Sequence, residues 1–241
     1  MLQVSGVKPF VVVVDDKEDL QALDAVVSEA RRAELAWLAA ARKDAGIAWL
    51  RGTALSEARR QIRVEQQRLR EDGTLYGTKD LVMTRAVRAE LHSRRMLTAW
   101  PDPPPGETSA PGRRWGISPD PWALLALEEK EEEGEEKQKR PRLSFKLPAA
   151  LGETLVRAAY WTSAPIVAEL QAWDKRWGDG PTVILREAMR RNGGRVTDLD
   201  VMVAMLAPRP EAGALEDRAR LRAQIVTTGT LARDALARAI R

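Results

Sequence analysis

The chain has 241 residues, enough for one large domain or two of ordinary size, and its 44% apolar content suffices for at least one buried core. Its 39 Lys and Arg against 35 Asp and Glu leave a formal charge of only +4, so contact with nucleic acid requires local clusters of charge. The absence of Cys and the single histidine, His92, exclude disulfides, thiolate metal sites and multi-histidine sites. We expect a mainly α, non-enzymatic protein without cofactor or bound metal.

The apolar runs of the sequence are short. None approaches the roughly 20 residues of a membrane span, and the N-terminus lacks the charged and apolar regions of a signal peptide. We therefore expect a helical, cytoplasmic protein that has no membrane partner.

Proline divides the chain. Seven of the 14 prolines lie between Pro101 and Pro121, where no helical period survives, and this composition predicts a linker. We expect a helical domain with an N-terminal strand over residues 1–100 and the linker over 101–121. An acidic helix with a further folded segment is expected over 122–178, and a helical region for partners or oligomerisation over 179–241.

The N-terminal region begins with a β-branched run, Phe10 to Val14, that predicts a buried strand. Asp15 or Asp16 then caps a helix expected to reach about residue 45. A second helix is expected over about 54–72, and a third, capped by Thr78, over about 79–98.

The strand followed by Asp15 and Asp16 resembles the opening of a response-regulator receiver domain, in which acidic residues at a strand end hold Mg²⁺. No later strand delivers a phosphoacceptor Asp, and a capped strand-to-helix junction explains the same residues without chemistry. Asp15, Asp16 and Asp19 would bind a metal only if another strand brought further oxygen ligands beside them. An enzymatic function would rest on this cluster alone.

The second helix carries an arginine-rich face that includes Arg59, Arg60 and Arg63. Phosphates could neutralise such a face. Glutamates interleaved at positions 57, 65 and 71 could equally pair with the arginines along the helix. We favour the salt-bridged, solvated interpretation. His92 is predicted to be a surface histidine near the end of the third helix.

Charge changes sign abruptly farther along the chain. Residues 128–136 hold seven Glu and one Lys, whereas residues 137–146 hold five basic residues and no acid. The basic block continues into a strict alternation that predicts a strand ended by Pro148. One face of this strand carries Leu143, Phe145 and Leu147; the other carries Arg142, Ser144 and Lys146.

Two helices are predicted after this strand. The first covers residues 149–160, a break falls at residues 161–163, and Ser163 caps a second helix that ends near Trp177. Strand, helix and capped helix over about 139–177 resemble the ribbon-helix-helix DNA-binding family. The alternative is a structural strand in a larger helical domain.

The resemblance implies a homodimer that binds double-stranded DNA by sequence, because in that family the strands of two chains pair into a ribbon that enters the major groove. Proteins of this kind repress transcription or mark a plasmid partition or transfer site. The resemblance places base contacts on Arg142, Ser144 and Lys146, and a phosphate anchor at Thr162 and Ser163. Further phosphate contacts would come from Lys137, Lys139 and Arg140.

The C-terminal region predicts more helices. One covers about 181–191, and another follows a cap at Thr197, with its apolar stripe expected to face inward: Leu199, Met202, Val203 and Leu206. One or two amphipathic helices after Pro210 suit homo-oligomerisation or the docking of a protein partner. The alternative function is therefore a non-enzymatic helical scaffold or assembly subunit with no nucleic-acid contact.

Overall fold

The computed structural model describes residues 6–14, 16–104, 141–177, 180–206 and 210–241. Within these ranges the chain is mainly helical with a single two-stranded sheet, which confirms the predicted fold class. The described elements are β1 (Val7–Val13), α1 (Lys17–Asp44), α2 (Gly52–Glu71), α3 (Lys79–Ser93), β2 (Arg142–Pro148), α4 (Ala149–Trp177), α5 (Gly180–Arg191), α6 (Asp198–Leu206), α7 (Ala212–Ala223) and α8 (Thr228–Ala239).

The two strands pair with each other in an antiparallel ribbon, in the register Val7 to Pro148 and Val13 to Arg142. The expectation that β2 would pair with the same strand of a second chain is therefore wrong. The apolar N-terminal run supplies the partner within one chain, and the rings of Phe10 and Phe145 stack at 5.9 Å between centroids. The ribbon thus needs no second copy to form.

The chain folds into two compact units that do not follow chain order. The first unit contains residues 1–100, 140–158 and 228–241; the second contains 101–139 and 159–227. The expected boundary near residue 100 is also a boundary between units. The expected C-terminal region over 179–241 is divided instead, because α8 packs against α3.

The core of the first unit lies under the inner face of the ribbon. The predicted alternation of β2 is confirmed, since Leu143, Phe145 and Leu147 are buried and the residues between them are exposed. This apolar face meets α3 and α8, whose inward residues are also buried. From α3 these are Val82, Met83, Ala86, Val87 and Leu91, and from α8 Leu231, Ala232, Ala235 and Leu236.

Helix α4 is continuous over the position where a break was predicted. Pro165 lies inside the helix, and Ser163 is 2% exposed instead of capping a new one. Its hydroxyl donates to the carbonyl oxygen of Val226 at 2.7 Å and accepts from the Val226 amide at 3.0 Å. Because Ser163 is engaged by a distant segment and buried residues lie on both sides of it, packing overrides the local signals for a break.

Helices α5 and α6 form a hairpin within the second unit. Its turn is closed by a reciprocal cap: the amide of Thr197 donates to Asp200 at 2.9 Å, and the amide of Asp200 donates back to the Thr197 hydroxyl at 3.3 Å. The predicted inward stripe of α6 is wrong, because Leu199, Met202, Val203 and Leu206 are all exposed.

Among the described residues, no helix combines the length and the apolar character needed to cross a membrane.

Candidate nucleic-acid interface

The outer face of the ribbon carries three of the residues that the sequence proposed for base contact. Arg142, Ser144 and Lys146 are exposed on one face of β2, opposite Val13, Val11 and Pro9 of β1. Among the described residues, neither the Arg142 guanidinium nor the Lys146 ammonium forms a salt bridge. The Lys146 amide donates to Asp80 of α3 at 2.9 Å, which fixes the outer edge of β2. The ribbon therefore presents two cations and a hydroxyl to solvent on a supported backbone.

The remaining predicted contacts are not part of this face. Thr162 and Ser163 lie inside α4, where the backbone amides are engaged in the helix, so neither lies at a helix N-terminus that could anchor a phosphate. The expected anchor is therefore wrong. Lys137, Lys139 and Arg140 lie outside the described residues.

A second basic surface lies between α1 and α2. Here Arg42 from the last turn of α1 and Arg59 and Arg63 from α2 line one groove of about 590 Å³, which we call the basic groove. Its other lining residues are polar or apolar, and none is acidic: Leu38, Ile47, Ser56, Ile62 and Gln66. Helical spacing explains the convergence, because residues three, four and seven apart lie on one stripe of a helix.

The arginines of the basic groove have no intramolecular counter-ions in the part of the chain that the structure describes. On α2 only Arg68 pairs with a glutamate of the same helix, Glu65, at 2.9 Å. Glu71 instead accepts from Gln67 at 2.8 Å. The favoured interpretation of this helix face as salt-bridged is thus wrong for Arg59 and Arg63, whose guanidiniums stay available for an external anion.

Glu34 connects the two helices that form the basic groove. This buried carboxylate of α1 accepts from Gln66 at 2.6 Å and from the Arg70 Nε at 2.9 Å, both on α2, and from the Gly77 amide at 3.0 Å. Burial would raise the pKa of Glu34, but these hydrogen bonds and the Arg70 charge outweigh burial and lower it. The ionised carboxylate holds α2 against α1, and Arg70 is the only arginine of α2 with which it forms an ion pair.

A larger groove, about 1360 Å³, lies along α3. One wall carries Arg85, Arg88 and the exposed His92, as the surface assignment of His92 predicted, and Arg85 stacks over the Tyr76 ring at 4.4 Å. Two more arginines of this lining, Arg70 and Arg238, are already paired with buried glutamates. The acids Glu71 and Asp72 on the same lining offset the charge of Arg85 and Arg88. This groove is consequently a weaker anion site than the basic groove.

Sequence reasoning missed one residue that lines the basic groove and one exposed tryptophan in the turn between α1 and α2. Arg42 belongs to another helix, and only the packing of α1 on α2 brings it beside Arg59. Trp49 lies in the turn between these helices, two residues beyond Ile47, and is 88% exposed. The sequence carried no signal for this exposure, because the immediate neighbours of Trp49, Ala48 and Leu50, are apolar.

Charge separates between the two units. By sequence the first unit holds 24 Lys and Arg against 16 Asp and Glu, a formal charge of +8. The second holds 15 against 19, a formal charge of −4. The ribbon face and the basic groove both belong to the first unit, so both lie on the basic part of a nearly neutral chain.

The acidic cluster after β1 adds no described site. Asp15 lies outside the described residues, Asp16 precedes α1, and no group of three or more His, Asp or Glu in the described ranges is placed to hold a metal ion.

No protein-family model matches the chain, and comparison with curated proteins and with solved structures finds no significant match.

Proposed function

We propose that the protein binds double-stranded DNA without catalysing a reaction, and that the basic groove is its principal phosphate contact. The observation that carries this proposal is the convergence of Arg42, Arg59 and Arg63 on one groove that has no acidic lining residue. Guanidinium groups are the side chains best suited to phosphate, which they bind with two parallel hydrogen bonds.

The energetics of α2 support an external anion. Arg59 and Arg63 are four residues apart, a spacing at which like charges destabilise a helix by about 0.2–0.5 kcal/mol. No described carboxylate relieves this repulsion, whereas Arg70 and Arg68 on the same helix each have an acidic partner. Arg59 and Arg63 thus cost the fold stability that a bound phosphate backbone would restore.

Two further features of the first unit suit DNA. The +8 charge attracts the duplex over several ångströms and raises the rate of encounter. The ribbon face then offers groups for base edges, because Arg142 and Lys146 suit guanine acceptors and the exposed methyls of Val11 and Val13 suit the thymine methyl. We assign positioning to the basic groove and base contact to the ribbon face.

The test is a fluorescence-anisotropy titration of a labelled mixed-sequence duplex at several salt concentrations. The R59Q/R63Q variant keeps polar, helix-compatible side chains and removes two phosphate contacts. We expect its affinity to fall on the order of tenfold and its salt slope to fall by about 2, since each contact contributes about 0.9. Its thermal stability should equal or slightly exceed that of the parent chain.

The matched control is R190Q/R220Q, which removes the same charge from exposed, ion-paired arginines of the second unit. It should bind almost as the parent does. R142A/K146A, in the same titration, should lose preference for selected over mixed sequences. A parent chain that does not bind duplex at moderate salt, or an R59Q/R63Q variant that binds as the parent does, would contradict the proposal and favour the scaffold alternative.

Transcriptional repression and the marking of a partition or transfer site are not part of this proposal. Those roles were implied only by the resemblance to the ribbon-helix-helix family. The fold of that family requires a ribbon formed by the strands of two chains and a break between the two helices that follow. In the described structure β2 pairs with β1 and α4 is continuous.

A further inference from the structure

Helix α6 carries its large apolar side chains on the outside. Six of its nine residues are large, apolar and exposed by more than a third of their surface: Leu199 at 69%, Val201 at 37%, Met202 at 59%, Val203 at 49%, Met205 at 66% and Leu206 at 80%. A helix that is apolar on most of its circumference is normally buried. This pattern indicates a surface that another element covers.

The rest of the described second unit does not provide that cover. The main tertiary partner of α6 is α5, and their contact buries small residues, Ala188 at 1% and Ala204 at 2% exposure. Met189 of α5 is itself 44% exposed, so the apolar surface continues over the hairpin. We call these exposed side chains of α6, together with Met189, the hairpin patch.

We propose that the hairpin patch is a homodimer interface, in which α6 of a second copy of this chain packs antiparallel on α6 about a two-fold axis near Met202. A two-fold interface uses the same surface on both copies and therefore has to be complementary to itself. The hairpin patch meets this condition because an uncharged apolar surface requires no opposite charge from its partner.

The area of the hairpin patch fits a second copy. The exposed apolar surface of α6 is on the order of 600 Å², at the upper end of the largest patch on typical monomers. Complete cover of this surface on both copies would bury about 1,200 Å² in total, the lower bound for a specific and stable interface. A chain that dimerises in this way needs no further partner to cover α6.

The charges at the ends of α6 favour the antiparallel arrangement. The acids of α6, Asp198 and Asp200, lie in its first turn, and its last turn has no charge. In an antiparallel overlap of residues 199–206, Asp198 lies before the contact. Asp200 lies on the side of the helix away from Met202, where it binds Thr197 and Asn192. The antiparallel overlap also places the N-terminus of each helix beside the C-terminus of the other, where the helix dipoles attract.

The test is sedimentation velocity on the full chain without DNA, so its outcome is independent of the proposed DNA binding. The parent should sediment as a dimer and the M202E/L206E variant as a monomer. Because both side chains are already more than half exposed, the variant should retain the helical circular dichroism of the parent. The control V7E/V11E introduces the same charges at exposed valines of the ribbon and should remain dimeric.

Cross-linking gives a second measurement that does not depend on a charged variant. The chain has no Cys, so M202C introduces a unique thiol. A short bifunctional thiol reagent should join two M202C chains efficiently. The A25C variant, with its thiol at an exposed position of α1, should be modified by one end of the reagent without joining two chains. A monomeric parent, a dimeric M202E/L206E variant, loss of the dimer in V7E/V11E alone, or equal cross-linking of both cysteines would each overturn the proposal.

Discussion

Two buried glutamates each connect helices of the first unit through ion pairs with arginine. Glu34 and Glu90 have side chains that are 8% and 7% exposed, and each binds arginine from another element or turn. Glu90 accepts from Arg94 one turn later and from Arg238 of α8 at 2.9 Å, so it joins α3 to the C-terminal helix. A buried carboxylate without such partners would neutralise itself by taking up a proton.

The pH dependence of stability follows from these partners. Burial would raise the pKa of Glu90, but hydrogen bonds and charge from Arg94 and Arg238 outweigh burial and hold the pKa below its ordinary value of 4.5. A lowered folded-state pKa means that this stabilisation is fully present above about pH 4.5 and is lost as the pH falls through the folded value. We expect E90Q to cost about 1–3 kcal/mol at neutral pH and to unfold with a weaker dependence on acid.

Urea denaturation at a series of pH values between neutral and strongly acidic measures this effect. E29Q, at an exposed glutamate of α1, is the control and should follow the parent curve. If E90Q and the parent lose stability in parallel as the pH falls, Glu90 does not carry the linkage.

At the scale of elements, α4 shows how packing selects between local alternatives. Ser163 and Pro165 together are typical of a helix start, since serine caps a helix and proline is tolerated in its first turn. Tyr160, Leu170 and Trp173 are buried along the continuous helix instead. The Trp173 indole donates to the carbonyl oxygen of Ala214 at 3.0 Å, which fixes α4 against α7.

The serine inside α4 should be structurally important although it is small. S163A leaves the amide and carbonyl of Val226 without the hydroxyl that each contacts, and we expect a loss of about 1–3 kcal/mol. Thermal unfolding measures it. The control is S28A, whose exposed hydroxyl donates to a carbonyl of its own helix and should cost little. Equal stability of S163A and the parent would show that water replaces the hydroxyl.

The sequence predicted the helices and strands better than it predicted which elements pack against each other. The extents of α1 and α2 and the alternation of β2 follow from local periodicity, which depends on neighbouring residues alone. The expected side-chain cap at the start of α1 is not formed, since Asp16 makes no capping hydrogen bond. The pairing of β2 with β1 and the exposure of Leu199 could not be predicted, because each depends on residues far away in the chain. The basic groove was half predictable, since Arg59 and Arg63 share a helix but Arg42 does not.

At the scale of the whole molecule, the first unit is assembled from three distant segments. Helix α8 lies at the end of the described chain and packs on α3 and β1. Its Leu231 is 1% exposed in this contact. Stability of β1, the basic groove and α3 therefore depends on residues more than 130 positions away from them in the sequence.

This dependence is testable with one side chain. L231A removes a buried side chain from α8 and should destabilise the first unit by about 2–5 kcal/mol. Amide hydrogen exchange should report lost protection not only in α8 but also in β1 and α3. L215A, at a 36% exposed leucine of α7, should leave those amides unchanged. Exchange that accelerates only in residues 228–239 would show that α8 opens independently.

The late position of α8 also affects how the protein is made. A ribosome synthesises residues 159–227 before it reaches α8, so β1 and α3 emerge long before the helix that completes their core. During that interval the apolar inner faces of these early elements remain in contact with solvent, where they can aggregate. The nascent chain is therefore expected to be a client of chaperones that shield apolar segments until translation delivers residues 228–239.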